Sequence, residues 1–411
     1  MHPGETSMHI RTGVLWLWVA MLMAAGVTAC RADPAPTKPA ATGQVPAASA
    51  PPATLQPTVI PASSQPSTPF AFSSPVSFEV GIHPREIAVA DLNDDGRLDV
   101  VVANSGDGTL TVLLGTGDER LLGSPMSVRA GQEPSDVDAL DMDRDGDVDL
   151  VVANHETSKF TLLLNDGLAQ FEPAAYSPVE TGARPHLHGL ATADFNGDGW
   201  PDVAVDSADT GQVRISHGSS LGFMESTAVD MESVPYYRLG ASDVIAGGVT
   251  ELLVPGHSDQ TIRIIQYASD RYRMAQTIQL EAQPWMVIGE DVNADGRNDV
   301  IVVETDAVSL WLADTEGYTP APASPYSIPG ATEIVTGDIT GDHISDIVVG
   351  SWDSDEVIVI MGGDFVTRQI NLCERPIGLA VADLDEDGRS ELLATCPLEN
   401  RLLVAVPVPG P

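Results

Sequence analysis

Basic residues are scarce in this chain. Its 411 residues hold 20 Lys and Arg against 59 Asp and Glu, a formal net charge of −39. A basic surface large enough to neutralise a phosphate backbone cannot be assembled from that balance, which excludes nucleic acid as a partner. Cysteines number three, too few for a scaffold built on disulfides. The apolar run from Val14 to Val27 falls short of the roughly 20 residues that span a bilayer. No stretch keeps a helical period, and His-Glu-x-x-His and any matched nucleophile and base are missing. What is present is a globular composition, 43% hydrophobic and 19% charged. So many carboxylates must face either solvent or bound cations.

Residues 1–29 read as an export leader, with Arg11 ahead of the Val14–Val27 core. The core ends in Val27-Thr28-Ala29-Cys30, which resembles the bacterial lipobox and implies lipidation at Cys30 and an effectively permanent membrane anchor. Arg31 follows the cysteine where inner-membrane retention uses Asp, so the resemblance points to the outer membrane in a two-membrane cell. Residues 30–74 read as a tether. From Arg31 to Pro75 there are 11 prolines and 10 alanines, and the aromatics are Phe70 and Phe72 alone. Such a segment buries too little apolar area to fold and favours extended polyproline II.

From residue 75 to 408 one unit recurs. Its core is a nine-residue acidic loop, first seen as Asp91, Asn93, Asp95, Gly96 and Asp99 at positions 1, 3, 5, 6 and 9. The same positions are filled by Asp141, Asp143, Asp145, Gly146 and Asp149, then by Asp194, Asn196, Asp198, Gly199 and Asp202. Asp291, Asn293, Asp295, Gly296 and Asp299 follow, and later Asp383, Asp385, Asp387, Gly388 and Glu391. A weaker copy has Asp338, Thr340, Asp342, His343 and Asp346, and a degenerate one runs from Asp243 to Glu251. First residues fall at 91, 141, 194, 243, 291, 338 and 383, a period of 45 to 53 residues. That range indicates a solenoid, propeller or array.

Each period has the same order. A proline (Pro84, Pro134, Pro185, Pro235, Pro284, Pro329, Pro376) precedes a short apolar run, the acidic loop, a β-branched run such as Val100–Val102, a turn and a third run. A looser fourth segment closes the unit. Four short strands per repeat make one propeller blade, and seven repeats predict an all-β, seven-bladed β-propeller. The seventh repeat supplies too few strands after its loop, while Pro75–Val80 is left over ahead of the first. That segment is expected to complete blade seven as its outermost strand.

Oxygen donors at positions 1, 3, 5 and 9 around a turning glycine suit a hard cation such as Ca²⁺. An EF-hand would need a carboxylate at position 12, where Val102, Val152, Val205 and Val302 stand instead. The Asp-x-Asn-x-Asp-Gly-x-x-Asp unit resembles the FG-GAP, or VCBS-type, repeats of bacterial secreted proteins and of the integrin α-subunit propeller, across residues 75–408. The resemblance implies Ca²⁺ between the first and second strands of the blades. About four to six ions are expected, with blade four empty and the blade-six loop weakened by Thr340 and His343.

Cys373 and Cys396 flank the last loop and are expected to form a disulfide in an oxidising compartment, two buried free thiols being the alternative. The turns away from the acidic loops gather His83, Arg85, His155, Arg184, His186, His188, Tyr236, Tyr237, His257, Trp285, Trp352 and Arg375, a candidate ligand face. Within it, His186 and His188 alternate and would point the same way on a strand, a spacing that suits a metal. Three functions fit: a non-catalytic binding or adhesion module on a lipid anchor, reading a protein or glycan; a propeller enzyme, such as a polysaccharide lyase or quinone dehydrogenase; or a structural subunit of an envelope complex. The first is the reading adopted.

Overall fold

Seven antiparallel sheets follow one another along the chain in a computed structural model that describes residues 70–245 and 247–409. Blade one sets the pattern: Pro84–Ala90, Asp99–Asn104, Thr109–Leu113 and Met126–Arg129, paired in chain order. Blades two to six begin at Pro134, Leu190, Gly240, Pro284 and Ala331. Blades two and five add a short fifth strand, Val179–Glu180 and Tyr326–Ser327. The leader, Cys30 and most of the tether lie outside the described residues.

Burial explains the strand chemistry. All seven second strands, from Asp99–Asn104 to Glu391–Cys396, are buried along their whole length. Both of their faces meet neighbouring sheets, so continuous β-branched runs suit them better than an alternating pattern. Among the described residues the core is divided. Each junction between consecutive blades has its own apolar cluster, such as Val101, Leu110, Val137 and Leu150 between blades one and two. The seventh cluster, with Val100, Val102, Leu393 and Val404, joins blade seven back to blade one, so the ring is closed.

The closure uses chain from both ends. Leu379–Ala382, Glu391–Cys396 and Arg401–Ala405 form three strands of blade seven, and Val76–Glu79 is the fourth, with Phe78 opposite Leu402. The fold also starts earlier than the tether boundary at residue 74 suggests. Phe70–Phe72 pairs antiparallel with Pro407–Pro409, and Phe72 packs on the apolar cluster between blades six and seven. Phe72 in an otherwise Pro/Ala segment was the signal, because an aromatic side chain carries enough apolar area to favour docking.

Candidate functional site

The acidic loops join the first strand to the second in each blade, and their backbone is wound tightly around position 1. Asp91 accepts the N–H of Asp95 at 3.2 Å on Oδ1 and that of Gly96 at 2.8 Å on Oδ2. Asp194, Asp291 and Asp383 accept the same two bonds in their loops. Position 6 has φ between 83° and 104° in Gly96, Gly146, Gly199, Gly296 and Gly388. A methyl group at Gly96, Gly146, Gly296 or Gly388 would meet nothing within 4 Å, so glycine is there for its dihedral freedom and not for space. His343 takes this position in blade six at φ 67° with its ring in solvent, and Asp338 still accepts the His343 N–H at 2.8 Å. Position 4 also adopts positive φ, at Asp94, Arg144, Ala294 and Glu386 as well as at Gly197 and Gly341, a strain that sequence reading missed because non-glycine residues of four types share it.

Position 9 is buried and does two jobs. Asp99 accepts the Leu92 N–H at 2.9 Å and the Gly115 N–H at 2.7 Å, which ties the loop to the end of the third strand. Asp149 accepts from Met142 and Asn165, and Asp346 from Ile339 and Gly362, in the same way. Burial first, and then neighbouring carboxylates, push Asp149, Asp299 and Asp346 up to about 6 and Glu391 up to about 7. Three buried ligand-position oxygens have no hydrogen-bond partner: Asp141 Oδ1, Asp202 Oδ2 and Glu391 Oε1. In loops two and seven, oxygens of Asp141, Asp143 and Asp149, and of Asp383, Asp385 and Glu391, come within 4.8 Å of one another. Unpaired, converging carboxylate oxygens form a donor set that fits a hard cation. Blade four differs: Glu251 directs one oxygen to the N–H groups of Val244 and Ile245 and the other to the Gln266 amide. There a side-chain amide satisfies the oxygen that is left without a partner in Glu391 of blade seven.

The opposite mouth of the ring carries the histidines and aromatics. The His155 ring lies 4.1 Å from that of His186 and 5.6 Å from that of His188, and His188 lies 4.5 Å from Tyr236. Tyr236 continues to His257 and Trp285, at 5.2 and 5.7 Å, so the rings of blades two to five form one contiguous patch. Burial and the imidazoles of His186 and His188 lower His155 to about 4. Tyr237 joins this patch, its ring 5.9 Å from that of His188 and 6.5 Å from that of Tyr236, whereas Arg375, Arg184 and His83 make their contacts elsewhere. Arg375 donates to the Trp352 carbonyl at 3.0 Å between blades six and seven, Arg184 faces Asp209, and the His83 backbone is tied to Asn400. His186 and His188 are not on a strand, as their alternation suggested. They lie in the irregular segment before Leu190–Ala193, where His186 has φ 105° and Leu187 between them is fully buried.

Sequence reading also missed the channel. Arg238, from the turn before blade four, donates to Glu86 at 2.8 Å, to Asp136 at 3.1 Å and to Glu333, joining blades one, two, four and six. Glu86, Asp136 and Glu333 each sit at a register shift in a first strand, the kind of bulge that re-aims a side chain. Glu86, Glu333 and Arg238 border a cavity of about 400 Å³. Burial outweighs Arg238 and lifts Glu86 to about 7, and burial followed by Asp136 lifts Asp138 to about 7. Cys373 and Cys396 are bonded, with Cα atoms 6.1 Å apart, so the expected disulfide forms and both sulfurs are buried.

A closed ring of seven blades, each built on four antiparallel strands and two with a short fifth, with acidic loops on one mouth and aromatic turns on the other, defines an all-β propeller of repeated units. The FG-GAP-like repeat family matches residues 91–152, 141–205 and 291–349. Integrin alpha-7 of Mus musculus is 31% identical over 174 residues, which is 39% of this chain and 14% of that protein. The Homo sapiens integrin alpha-7 is 30% identical over 178 residues, again 14% of its length. Among crystal structures, BBS1N in complex with ARL6DN matches with TM-score 0.56 and 15% identity, over 82% of this chain and 97% of that one. The Myceliophteria thermophila Cps50 (Swd1) β-propeller domain matches with TM-score 0.57 and 12% identity, over 80% and 98%. This chain carries FG-GAP-like repeats and folds as a seven-bladed propeller similar in part to integrin alpha-7, a fold compatible with a binding module.

Proposed function

We propose that the protein is a non-catalytic binding or adhesion module, braced by calcium and displayed at the cell envelope on a lipid anchor at Cys30. The observation that carries this reading is the contiguous patch of imidazole, phenol and indole groups from His155 through Tyr236 to Trp285. Rigid aromatic groups with polar handles give contact area at low entropic cost, which suits a protein or glycan surface. Calcium would be held by positions 1, 3, 5 and 9 of the acidic loops and would supply the positive charge that their unpaired oxygens lack. The orphan oxygens and the clustered carboxylates support that assignment. An anchor and tether would hold the module clear of the membrane. The test is glycan-array binding and pull-down from envelope extracts with the wild type and with Tyr236→Ala and Trp285→Ala. Loss of the captured ligand in both variants is expected, whereas cleavage of uronic polysaccharides by the wild type would replace binding with catalysis.

A further inference from the structure

Three histidines from two blades meet at a point that the binding reading does not require. His155 stands in the turn between Asp149–Asn154 and Lys159–Asn165, and His186 and His188 come from the segment entering blade three. The backbone fixes them together: the Leu187 N–H donates to the His155 carbonyl at 3.1 Å and the His186 N–H to that of Thr157 at 3.3 Å. Buried Leu187 anchors the segment between the two rings. One ring nitrogen from each histidine lies within 4.8 Å of one from each of the others. Nitrogens on a tetrahedral ion at about 2.0–2.1 Å are roughly 3.3 Å apart, so a small side-chain movement completes the set.

The decisive atom is His188 Nε2. The His188 side chain is only 6% exposed, and its Nε2 is buried with no hydrogen-bond partner. A buried ring nitrogen without a partner is costly unless something fills its place. Its other nitrogen, Nδ1, lies 3.0 Å from Oδ2 of fully buried Asp206. A carboxylate on the far side of an imidazole fixes the tautomer and makes the free nitrogen a better ligand. His155 is arranged similarly, with Nδ1 3.2 Å from Glu156 and 4.0 Å from Glu133. His186 is exposed, so the fourth side of the cluster faces solvent.

We propose that His155, His186 and His188 bind one divalent transition-metal ion of the zinc class, with Asp206 as the positioning residue for His188 and one coordination place open to water or a ligand atom. Imidazole nitrogen prefers such ions, whereas calcium and magnesium prefer the oxygen donors of the acidic loops, so the two kinds of site sort their metals by donor chemistry. The net charge of −39 concentrates cations near the surface and assists loading.

The probe is Co²⁺, titrated into the full chain in calcium-saturated buffer. One equivalent should produce the intense visible d–d absorption of a low-coordinate nitrogen site, and added Zn²⁺ should abolish it. His186→Gln changes an exposed ring, so it should keep the melting curve and lose the band; His188→Ala should lose it as well. Asp206→Asn should weaken Co²⁺ binding about 10–100-fold while leaving the band position similar. Asp145→Asn, in an acidic loop, should leave the titration unchanged. Absorption no stronger than that of aqueous Co²⁺, or a band that survives in folded His186→Gln, overturns the proposal.

Discussion

At the scale of single residues, position 9 of the acidic loop separates folding from metal binding. Asp149 is buried and accepts two backbone N–H bonds that no cation can replace, whereas Asp143 sits at the half-exposed loop surface. Asp149→Ala should therefore lower stability by on the order of 2–4 kcal/mol with or without chelator, because two buried donors lose their acceptor. Asp143→Ala should lower the melting temperature only when calcium is present. Differential scanning calorimetry in calcium and in EDTA distinguishes the two. Glu86 offers a second residue-scale test. Its folded-state pKa of about 7 lies above the ordinary value of 4.5, so its contribution to stability is complete below about 4.5 and disappears as pH rises through 7. Melting temperatures between pH 5 and 8 should fall less steeply in Glu86→Gln than in the wild type.

At the scale of elements, the seventh blade depends on a strand from the other end of the folded chain. Val76–Glu79 adds four paired residues to Arg401–Ala405, and Phe78 and Val80 pack into the junction with blade one. Deleting residues 70–82 should lower the melting temperature by roughly 5–15 °C, at about 2–4 °C per kcal/mol for chains of this size. An unchanged transition would rule out this closure. The closing strand was legible in advance because counting strands per repeat left one missing at one end and one spare at the other. The buried second strands were legible too, since Val100–Val102 and its counterparts are β-branched without interruption. Arg238 was not. It looks like one more residue in the degenerate fourth repeat, and its partners Glu86, Asp136 and Glu333 are 152, 102 and 95 residues away. Only ring closure brings them together. The three histidines were half legible: His186 and His188 announced themselves by spacing, but His155 joins them through blade packing alone.

At the scale of the whole molecule, seven apolar junctions and a surplus of carboxylates oppose one another. The junctions are local, each shared by two neighbouring blades, whereas the acidic loops crowd like charges at one mouth. Calcium that binds the native state and not the unfolded chain should raise stability by mass action. EDTA should lower the melting temperature of the full chain, with Ca²⁺ restoring it and Mg²⁺ restoring less, because Mg²⁺ gives up its waters reluctantly. Equal melting curves in EDTA and calcium, with no calcium found by elemental analysis, would remove the metal from the account.

The seam in blade seven also governs what this molecule becomes when it is stressed. Freeing Val76–Glu79 leaves an empty slot beside Arg401–Ala405 on the edge of blade seven, while the remaining strands of that blade still pack on blade one. The same tetrapeptide from a second molecule has the right sequence to fill it. Warm, concentrated protein should then trade strands between copies, giving interlocked pairs or chains whose individual blades are all correctly formed.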